Sequence, residues 1–422
     1  SMSTSSTSRQ GETQADQVVF EEQTTLFPSQ PSHPSFQYPQ NPNLSPCLAT
    51  LKGNSSYVSG IVFDSDSLYV ASSDGHIRLW PLDMAMAMDV QRAEQSTSTV
   101  AATSSPIKSI IATSNGGLVS SHQDGKIRVW HAGRRNGGSS DHLSLRLRAV
   151  LPTATDCLRT FLFPSNYVEV RRHRRRRTWV HHVDAVTALA LSPDGAEMYS
   201  VSWDRSLKAW RLPSLRCVES VAPAHDDAIN AVAVSADGHV YTGSADRTIR
   251  AWRRQPEPGC GGKLALVATM ERHKAAVNAL ALGADGRVLY SGACDKTVIV
   301  WERAGAGGSV AATATATLRG HTGAVLCLAA AGQVVCSGSA DRTVRVWRRG
   351  ATAAAAAAGY TCLAVLEGHA AAVKSLALVN KSGGDHGGSC DDCCCCGCRC
   401  AAFVCSGSLD CDVKIWSVVV SC

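Results

Sequence analysis

The stretch "SADRTVRVW", residues 339–347, decides the fold, because variants of it occur seven times along the 422-residue chain. In each copy an aspartate stands six residues before a tryptophan, and apolar and polar residues alternate between the two. Alternation with a period of two indicates a half-buried strand, and the aspartate is typical of a tight turn. The copies end at Trp80, Trp130, Trp210, Trp252, Trp301, Trp347 and Trp416.

A histidine precedes five of the copies, four residues before a Val or Ile that opens another short apolar strand. This arrangement resembles the WD-repeat β-propeller family, with four strands in about 40–50 residues. We therefore predict an all-β fold over residues 46–422, a seven-bladed WD-repeat β-propeller with four-stranded antiparallel blades. The first two blades carry Asn54 and Thr103 in place of the histidine, and we expect them to rely on fewer polar bonds.

The two ends of the repeat array predict how the ring closes. Residues 47–53, "CLATLKG", resemble an outer strand without a blade of its own, and the last repeat stops at its third strand, "VKIWSVVV" (413–420). Pairing these strands removes two open sheet edges. We expect the N-terminal strand, within residues 46–53, to complete the last blade.

The composition of the chain indicates whether it contains membrane-spanning, secreted or disordered segments. Hydrophobic residues make up 45% of the chain, yet no run approaches the roughly 18 apolar residues of a membrane span. No secretory signal is recognisable, so most of the 18 cysteines are expected to be reduced, in a protein of the nucleus and cytoplasm. Residues 1–45, rich in Ser, Thr, Gln and Pro, are predicted to form a disordered tail.

The recurring Ser/Thr, His and Asp are the residue types of a hydrolase triad. A catalytic group is needed once, whereas this set recurs around the ring, so we interpret it as a buried hydrogen-bond network between the histidine and aspartate turns. In the sixth blade either Ser337 or Ser339 is expected to take part. We predict no catalytic residue, no cofactor and no enzymatic activity. The predicted structural residues are His182, Asp204, Trp210, His225, Asp246, Trp252, His273, Asp295, Trp301, His321, Asp341, Trp347, His369, Asp410 and Trp416.

An insertion at residues 380–400 contains the segment "SCDDCCCCGCRC". Its Cys-x-x-Cys spacing is one that zinc accepts, but four contiguous cysteines crowd a tetrahedral site and no histidine pair accompanies them. We favour an unstructured, oxidation-sensitive loop and predict no metal site, with zinc binding as the alternative.

A second insertion, residues 153–180, supplies the positive charge of the chain. It holds seven arginines and two acidic residues, so it accounts for five of the six net positive charges. Because strands alternate in direction, this insertion shares one end of the ring, the top face, with the histidine and aspartate turns. The cysteine-rich insertion belongs on the bottom face. We expect the arginines after His173 to be free for a partner.

The residue after the turn aspartate is basic in four consecutive blades, which predicts a positive rim suited to acidic partners. Each of these residues can also be an ordinary solvated turn residue. Trp203 is either a binding anchor beside the channel mouth or a residue packed beneath the insertion. The predicted partner-binding residues are Arg171, Arg172, Arg174, Arg175, Arg176, Arg177, Trp203, Arg205, Arg247, Lys296 and Arg342.

The segments "NYVEVRRHR" (166–174) and "WVHHVDAV" (179–186) resemble the inserted segment of the Jingubang group of plant WD-repeat proteins. The resemblance implies a regulatory scaffold of pollen germination and tube growth, with transcription regulators among its protein partners. We expect a monomeric scaffold that binds acidic or phosphorylated proteins, without membrane contact. The alternatives are nucleic-acid binding through the arginine run, or a nuclear localisation signal alone.

Overall fold

The computed structural model describes residues 44–64, 67–81, 98–134, 143–161, 167–170, 175–257, 260–303, 312–350, 359–381 and 399–421. These residues belong to one unit, Asn41–Cys422. The predicted disordered tail falls outside this part of the chain except at 44 and 45. Most of the cysteine-rich insertion (382–398) lies outside the described residues too, as do Arg171, Arg172 and Arg174.

The third strand of the sixth blade shows why the repeat folds as it does. Val344, Val346 and Trp347 are buried, while Arg345, between the two valines, is only half-buried. In the preceding turn, Oδ1 of Asp341 accepts a hydrogen bond from the backbone N–H of Thr343 at 3.0 Å. Arg342, between them, has a φ of +70°, the left-handed conformation that closes the corner.

The chain begins with β1 (Leu44–Leu51), and three blades of four consecutive antiparallel strands follow. Blade 1 contains β2 (Val58–Asp64), β3 (Ser67–Ser72), β4 (His76–Pro81) and β5 (Ser98–Ala102). Blade 2 contains β6 (Ile107–Ala112), β7 (Gly117–His122), β8 (Ile127–Arg134) and β9 (Leu143–Leu151). The insertion contributes helix α1 (Ala154–Phe161) and the hairpin β10 (Tyr167–Val170) and β11 (Arg175–Thr178). Blade 3 contains β12 (Val186–Leu191), β13 (Glu197–Ser202), β14 (Leu207–Arg211) and β15 (Arg216–Val221).

The next three blades repeat the same order of strands. Blade 4 contains β16 (Ile229–Val234), β17 (Val240–Ser244), β18 (Thr248–Glu257) and β19 (Cys260–Glu271). Blade 5 contains β20 (Val277–Leu282), β21 (Val288–Ala293), β22 (Val298–Arg303) and β23 (Ala312–Leu318). Blade 6 contains β24 (Val325–Ala331), β25 (Val334–Ser339), β26 (Val344–Arg349) and β27 (Tyr360–Leu366).

Blade 7 joins the two ends of the repeat array. Its three inner strands are β28 (Val373–Lys381), β29 (Arg399–Ser408) and β30 (Val413–Ser421), and β1 pairs antiparallel with β30 as the outer strand. Thr50 lies opposite Lys414, whose ammonium group donates a hydrogen bond to the threonine hydroxyl at 2.9 Å. The predicted closure is confirmed, and β1 starts at Leu44, two residues before the predicted boundary.

The first strand of every blade lies innermost, because β2, β6, β12, β16, β20, β24 and β28 contact one another in turn around the ring. The hydrophobic core lies between neighbouring blades: Trp347 of blade 6 packs with Val298 and Val300 of blade 5. Gly292 permits this closeness, since a Cβ there would lie 2.5 Å from Cγ1 of Val325. The seven inner strands therefore enclose a central channel.

Helix α1 was not predicted from the sequence, and it attaches the arginine insertion to blade 3. The hydroxyl of Thr153 accepts a hydrogen bond from the backbone N–H of Asp156 at 3.2 Å, capping the helix. Asp156 is buried, and its carboxylate accepts the backbone N–H of Cys217 on β15 at 3.4 Å. Lys208 of β14 donates to the carbonyl of Trp179 at 2.5 Å, fixing the other end of the insertion. Within the described residues, no helix is long and apolar enough to cross a membrane.

Candidate functional site

The repeated polar residues form a complete buried network in blades 4–7. In blade 6, Nδ1 of His321 lies 2.8 Å from Oδ2 of Asp341, and Nε2 lies 2.8 Å from the hydroxyl of Ser337. Nε1 of Trp347 donates to the same hydroxyl at 2.9 Å, so Ser337 rather than Ser339 is the network member. The other three sets are His225, Asp246, Thr242 and Trp252; His273, Asp295, Ser291 and Trp301; and His369, Asp410, Ser406 and Trp416.

The chemistry of this network is structural. An ionised aspartate can only accept, so the histidine Nδ1 donates to it, and Nε2 accepts the proton of the Ser or Thr hydroxyl. Burial lowers the pKa of His225, His273 and His369 against the opposing effect of the aspartates, and keeps the imidazoles neutral. The hydroxyl-bearing residues of these four networks are fully buried, so a substrate cannot reach them; they are Thr242, Ser291, Ser337 and Ser406.

Blade 3 shows a variation on the same network. Nε2 of His182 lies 2.7 Å from the hydroxyl of Ser200, but Nδ1 is closer to Ser206, at 2.8 Å, than to Asp204, at 3.5 Å. Asp204 accepts the backbone N–H of Val183 at 2.7 Å, a bond that the turn aspartates of blades 4–7 also make. Trp210 donates to Ser200 as expected, at 2.8 Å.

Blade 2 rebuilds the network with a histidine that sequence reasoning missed. His122, at the end of β7, lies 2.8 Å from the hydroxyl of Ser120 and 3.1 Å from the carbonyl of Ser105. Trp130 donates to Ser120 at 2.8 Å. The expectation of fewer polar bonds is therefore wrong for this blade. The signal was present in "SHQDG", residues 121–125, where other blades place Ser or Ala in the position of His122.

Blade 1 replaces the imidazole with a guanidinium group. Nη2 of Arg78 lies 3.2 Å from Asp74, and Nη1 donates to Ser72 at 2.8 Å and to Asn54 at 3.2 Å. Burial would raise the pKa of Asp74, but hydrogen bonds from serine hydroxyls, a backbone N–H and Arg78 hold it well below its usual range. Nε1 of Trp80 has no hydrogen-bond partner among the described residues, but Ser55, Ser72 and Arg78 all bond to Asp74, so the expectation of fewer polar bonds holds only for the tryptophan.

The four basic residues of the predicted rim occupy one special backbone position. Arg205, Arg247, Lys296 and Arg342 are exposed and have φ values between +67° and +74°. Gly75 and Gly125 hold the same position in blades 1 and 2, and Cys411 holds it in blade 7. The top face also exposes acidic side chains on the histidine turns of blades 3 and 4, so positive charge is concentrated at the turn tips. These acidic residues are Asp184, Asp226 and Asp227.

Trp203 lies at the top of the channel, with 42% of its surface exposed. Its Nε1 donates to Oδ1 of Asn230 in blade 4 at 3.3 Å, and Nζ of Lys108 in blade 2 lies 5.1 Å from its ring centroid. Both neighbours belong to innermost strands, Asn230 to β16 and Lys108 to β6.

The innermost strand of every blade contains a β-bulge directly after its first residue, so each blade presents one unpaired residue near the top of the channel. Three of these side chains bond to the backbone of the next blade: Thr187 to Ile229 at 2.6 Å, Asn230 to Val277 at 3.0 Å and Asn278 to Val325 at 2.9 Å. The other four are Ser59, Lys108, Leu326 and Lys374.

The described part of the arginine run belongs to a hairpin. Arg175, Arg176 and Arg177 form most of β11 and lie opposite Val170, Glu169 and Val168 of β10. The backbone of these three residues is therefore paired, and the run is not a plain extended loop there. In the parts of the chain that the structure describes, no group of three His, Cys, Asp or Glu side chains could hold a metal ion.

The fold is a seven-bladed β-propeller whose blades share a buried polar network. Five stretches match the family described as WD domain, G-beta repeat: residues 45–81, 174–211, 216–253, 264–302 and 312–348. Among solved structures, the WD40 β-propeller domain of Doa1 matches 88% of this chain and 96% of its own, with a TM-score of 0.58. At 19% sequence identity, that likeness shows the fold alone.

Curated relatives match over shorter segments. An uncharacterized WD repeat-containing protein of Schizosaccharomyces pombe is 41% identical over 76 residues, 18% of this chain and 14% of the relative. Striatin-4 of Homo sapiens is 39% identical over 70 residues, 16% of this chain and 9% of the relative. Ribosome biogenesis protein YTM1 of Phaeosphaeria nodorum is 29% identical over 127 residues, 30% of this chain and 26% of the relative. The chain thus spans at most 26% of the length of these three relatives.

Proposed function

We propose that the chain is a non-catalytic scaffold whose top face binds acidic or phosphorylated segments of protein partners. The observation that carries this proposal is the set of four exposed basic side chains on left-handed turn tips, in blades 3–6. A left-handed position costs any residue but glycine, yet these blades carry long cationic side chains there. Arginine and lysine pair readily with carboxylate and phosphate groups.

Capture of partners from the native tissue tests this proposal. The test variant replaces Arg205, Arg247, Lys296 and Arg342 with glycine, which blades 1 and 2 already tolerate at this position. Capture of acidic or phosphorylated proteins is expected to fall roughly tenfold, since several rim charges act together.

A matched control removes equal charge from the bottom face. Arg211, Arg216, Arg253 and Arg287 are exposed near the opposite strand ends, and their replacement with alanine should leave capture unchanged. Equal losses for both variants would show a non-specific charge effect and would contradict the proposal.

We further propose that the scaffold is a monomeric regulator of the nucleus and cytoplasm, similar to the Jingubang group. In this role it regulates pollen germination and tube growth, and transcription regulators are among its partners. The inserted segment quoted above supports this assignment. Imaging a fluorescent fusion in germinating pollen, with and without Arg174–Arg177→Ala, tests the nuclear part. Unchanged nuclear signal would show that the run is not a localisation signal.

Nucleic-acid binding is the second candidate, favoured by the three consecutive arginines on β11. Contacts to phosphates would release counterions and make binding fall steeply between about 50 and 300 mM salt. RNA and DNA binding measured across this range decides the matter, because a flat response excludes it.

A further inference from the structure

The top of the channel carries two lysines outside the predicted rim. Lys108 of β6 and Lys374 of β28 are the bulge residues of blades 2 and 7. At the same position the other five blades place neutral side chains, and three of those bond to the backbone of the neighbouring blade. The lysines therefore add two positive charges to a ring that is otherwise neutral.

Lys374 projects from β28, the innermost strand of blade 7. Burial lowers its pKa, and the groups that act on it further are Cys327 of blade 6, Tyr57 beside blade 1, Lys108 of blade 2 and Cys294 of blade 5. The channel is the place that these four blades share. Lys374 is nevertheless accessible to solvent, as a side chain inside an open channel should be.

Lys108 is held in place by an aromatic ring. Its ammonium group lies 5.1 Å from the ring centroid of Trp203, a distance typical of a cation–π contact. The indole itself is fixed by its hydrogen bond to Asn230 at 3.3 Å. Cation–π contact uses none of the three ammonium protons as a conventional hydrogen bond, so Lys108 keeps its donors for a ligand.

No carboxylate neutralises these lysines in the part of the chain that the structure describes. Of the exposed acidic residues of the top face, Asp226 pairs with Arg250, and Asp184 and Asp227 each accept a neighbouring backbone N–H. Two like charges in a channel between protein walls repel each other more strongly than in bulk water. A bound anion would relieve that repulsion.

We propose that the channel mouth formed by Lys108, Lys374 and Trp203 binds one anionic side chain, a carboxylate or phosphate monoester, presented by a protein partner. The proposal rests on the scaffold function above and adds the point at which the partner is anchored. Both lysines donate charge-assisted hydrogen bonds to the anion, and the exposed indole packs against the chain that carries it.

Titration of the full chain, labelled with 15N-tryptophan, tests this site. The probe is a phosphoserine peptide flanked by glycines, and inorganic phosphate and the unphosphorylated peptide form separate arms. The indole N–H signal of Trp203, assigned by its absence in Trp203→Phe, should shift in a saturable manner with the phosphopeptide. Lys108→Met with Lys374→Met should weaken this binding at least about tenfold, while Lys→Arg at both positions should retain it.

Arg211→Ala with Arg253→Ala, exposed on the bottom face, is the matched control and should change affinity by no more than about twofold, because those charges lie far from the channel mouth. An unresponsive Trp203 signal, or lysine-to-methionine variants that bind as the unmodified chain does, would overturn the proposal. Inorganic phosphate binding as tightly as the phosphopeptide would also overturn it, in favour of a free anion. The capture experiment can fail while this titration succeeds, and the reverse, so the two proposals are separable.

Discussion

Blades 1 and 2 form the same four-stranded sheets as blades 4–7, yet different residues hold their top corners together. In blades 4–7 an imidazole from the turn before the first strand joins a hydroxyl to the turn aspartate. In blade 2 the imidazole comes from His122 on the second strand, and in blade 1 the guanidinium of Arg78 replaces it. The fold thus requires that the buried polar groups be paired, rather than that a particular residue pair them.

The comparison also shows where pairing is incomplete. Six blades place Ser or Thr ten residues before the tryptophan, and blade 1 places Val70 there. Trp80 is 1% exposed, and its N–H has no partner among the described residues. A buried donor without an acceptor costs about 1–3 kcal/mol. Pairing the N–H of Trp80 should therefore raise the stability of blade 1. This blade also packs against blade 7, which closes the ring.

Removal of β1 is expected to have the largest effect, because blade 7 has a complete network but depends on this strand. Deleting residues 44–53 exposes the edge of β30 and removes Ala49 and Leu51 from the core. We expect cooperative thermal unfolding to be lost, as followed by calorimetry and circular dichroism. Deletion of residues 1–40 is the control and should preserve the transition. A cooperative transition in both deletions would refute the closing role of β1.

Breaking a complete network should cost more than breaking a single bond beside it. Ser337→Ala leaves both Nε2 of His321 and Nε1 of Trp347 without a partner, a loss of about 4 kcal/mol in the free energy of unfolding. Ser339→Ala, equally buried, removes the acceptor of one backbone N–H, that of Asp341, and should cost about 1 kcal/mol. Urea denaturation measures both, and equal losses would contradict the shared-hydroxyl geometry.

Acid should weaken blade 2 through His122. Burial lowers the pKa of this histidine from 6.5 to about 4. Below pH 6.5 the unfolded chain takes up a proton that the native chain does not, so stability is complete above that pH and falls towards pH 4. His122 alone then accounts for a loss of about 3 kcal/mol. The pKa values of His182, His225, His273 and His369 are also lowered by burial and add to the loss.

Urea denaturation at a series of pH values measures this dependence. His122→Gln removes one titrating group and should make the decline in stability between about pH 6.5 and pH 4 shallower, whatever its effect at neutral pH. An unchanged slope would mean that His122 does not stay neutral in the folded chain.

Much of the fold could be predicted from the sequence, because the same pattern of turn and strand residues occurs seven times. The spacing between Asp341 and Trp347 gives the turn and the strand, and the unmatched "CLATLKG" gives the closure. Helix α1 was missed because an eight-residue helix inside an arginine-rich insertion has no repeat to reveal it. Its position depends on contacts such as Asp156 with Cys217, which are distant in sequence.

The candidate site could be predicted only in part. The rim residues were identifiable because they follow a fixed aspartate. Lys108 and Lys374 were missed because nothing in an apolar strand marks the place of a β-bulge, and a bulge changes which residue faces the channel. The role of Arg78 was missed because an arginine at this position does not always bond to the turn aspartate. Arg250 and Arg345 occupy the equivalent position in blades 4 and 6 and bond elsewhere.

The smallest expected effect is a gain, and it comes from supplying blade 1 with the hydroxyl that it lacks. Val70→Thr keeps most of the valine shape and places an acceptor near Nε1 of Trp80, as Thr242 does for Trp252 at 2.9 Å in blade 4. We expect the free energy of unfolding to rise by about 1 kcal/mol. The control is Val119→Thr, at a fully buried valine of β7. This substitution should lower the free energy of unfolding by about 1–3 kcal/mol, because no unpaired donor is there to bond to the new hydroxyl. If both variants lose stability equally, the N–H of Trp80 is already satisfied and blade 1 is no weaker than its neighbours.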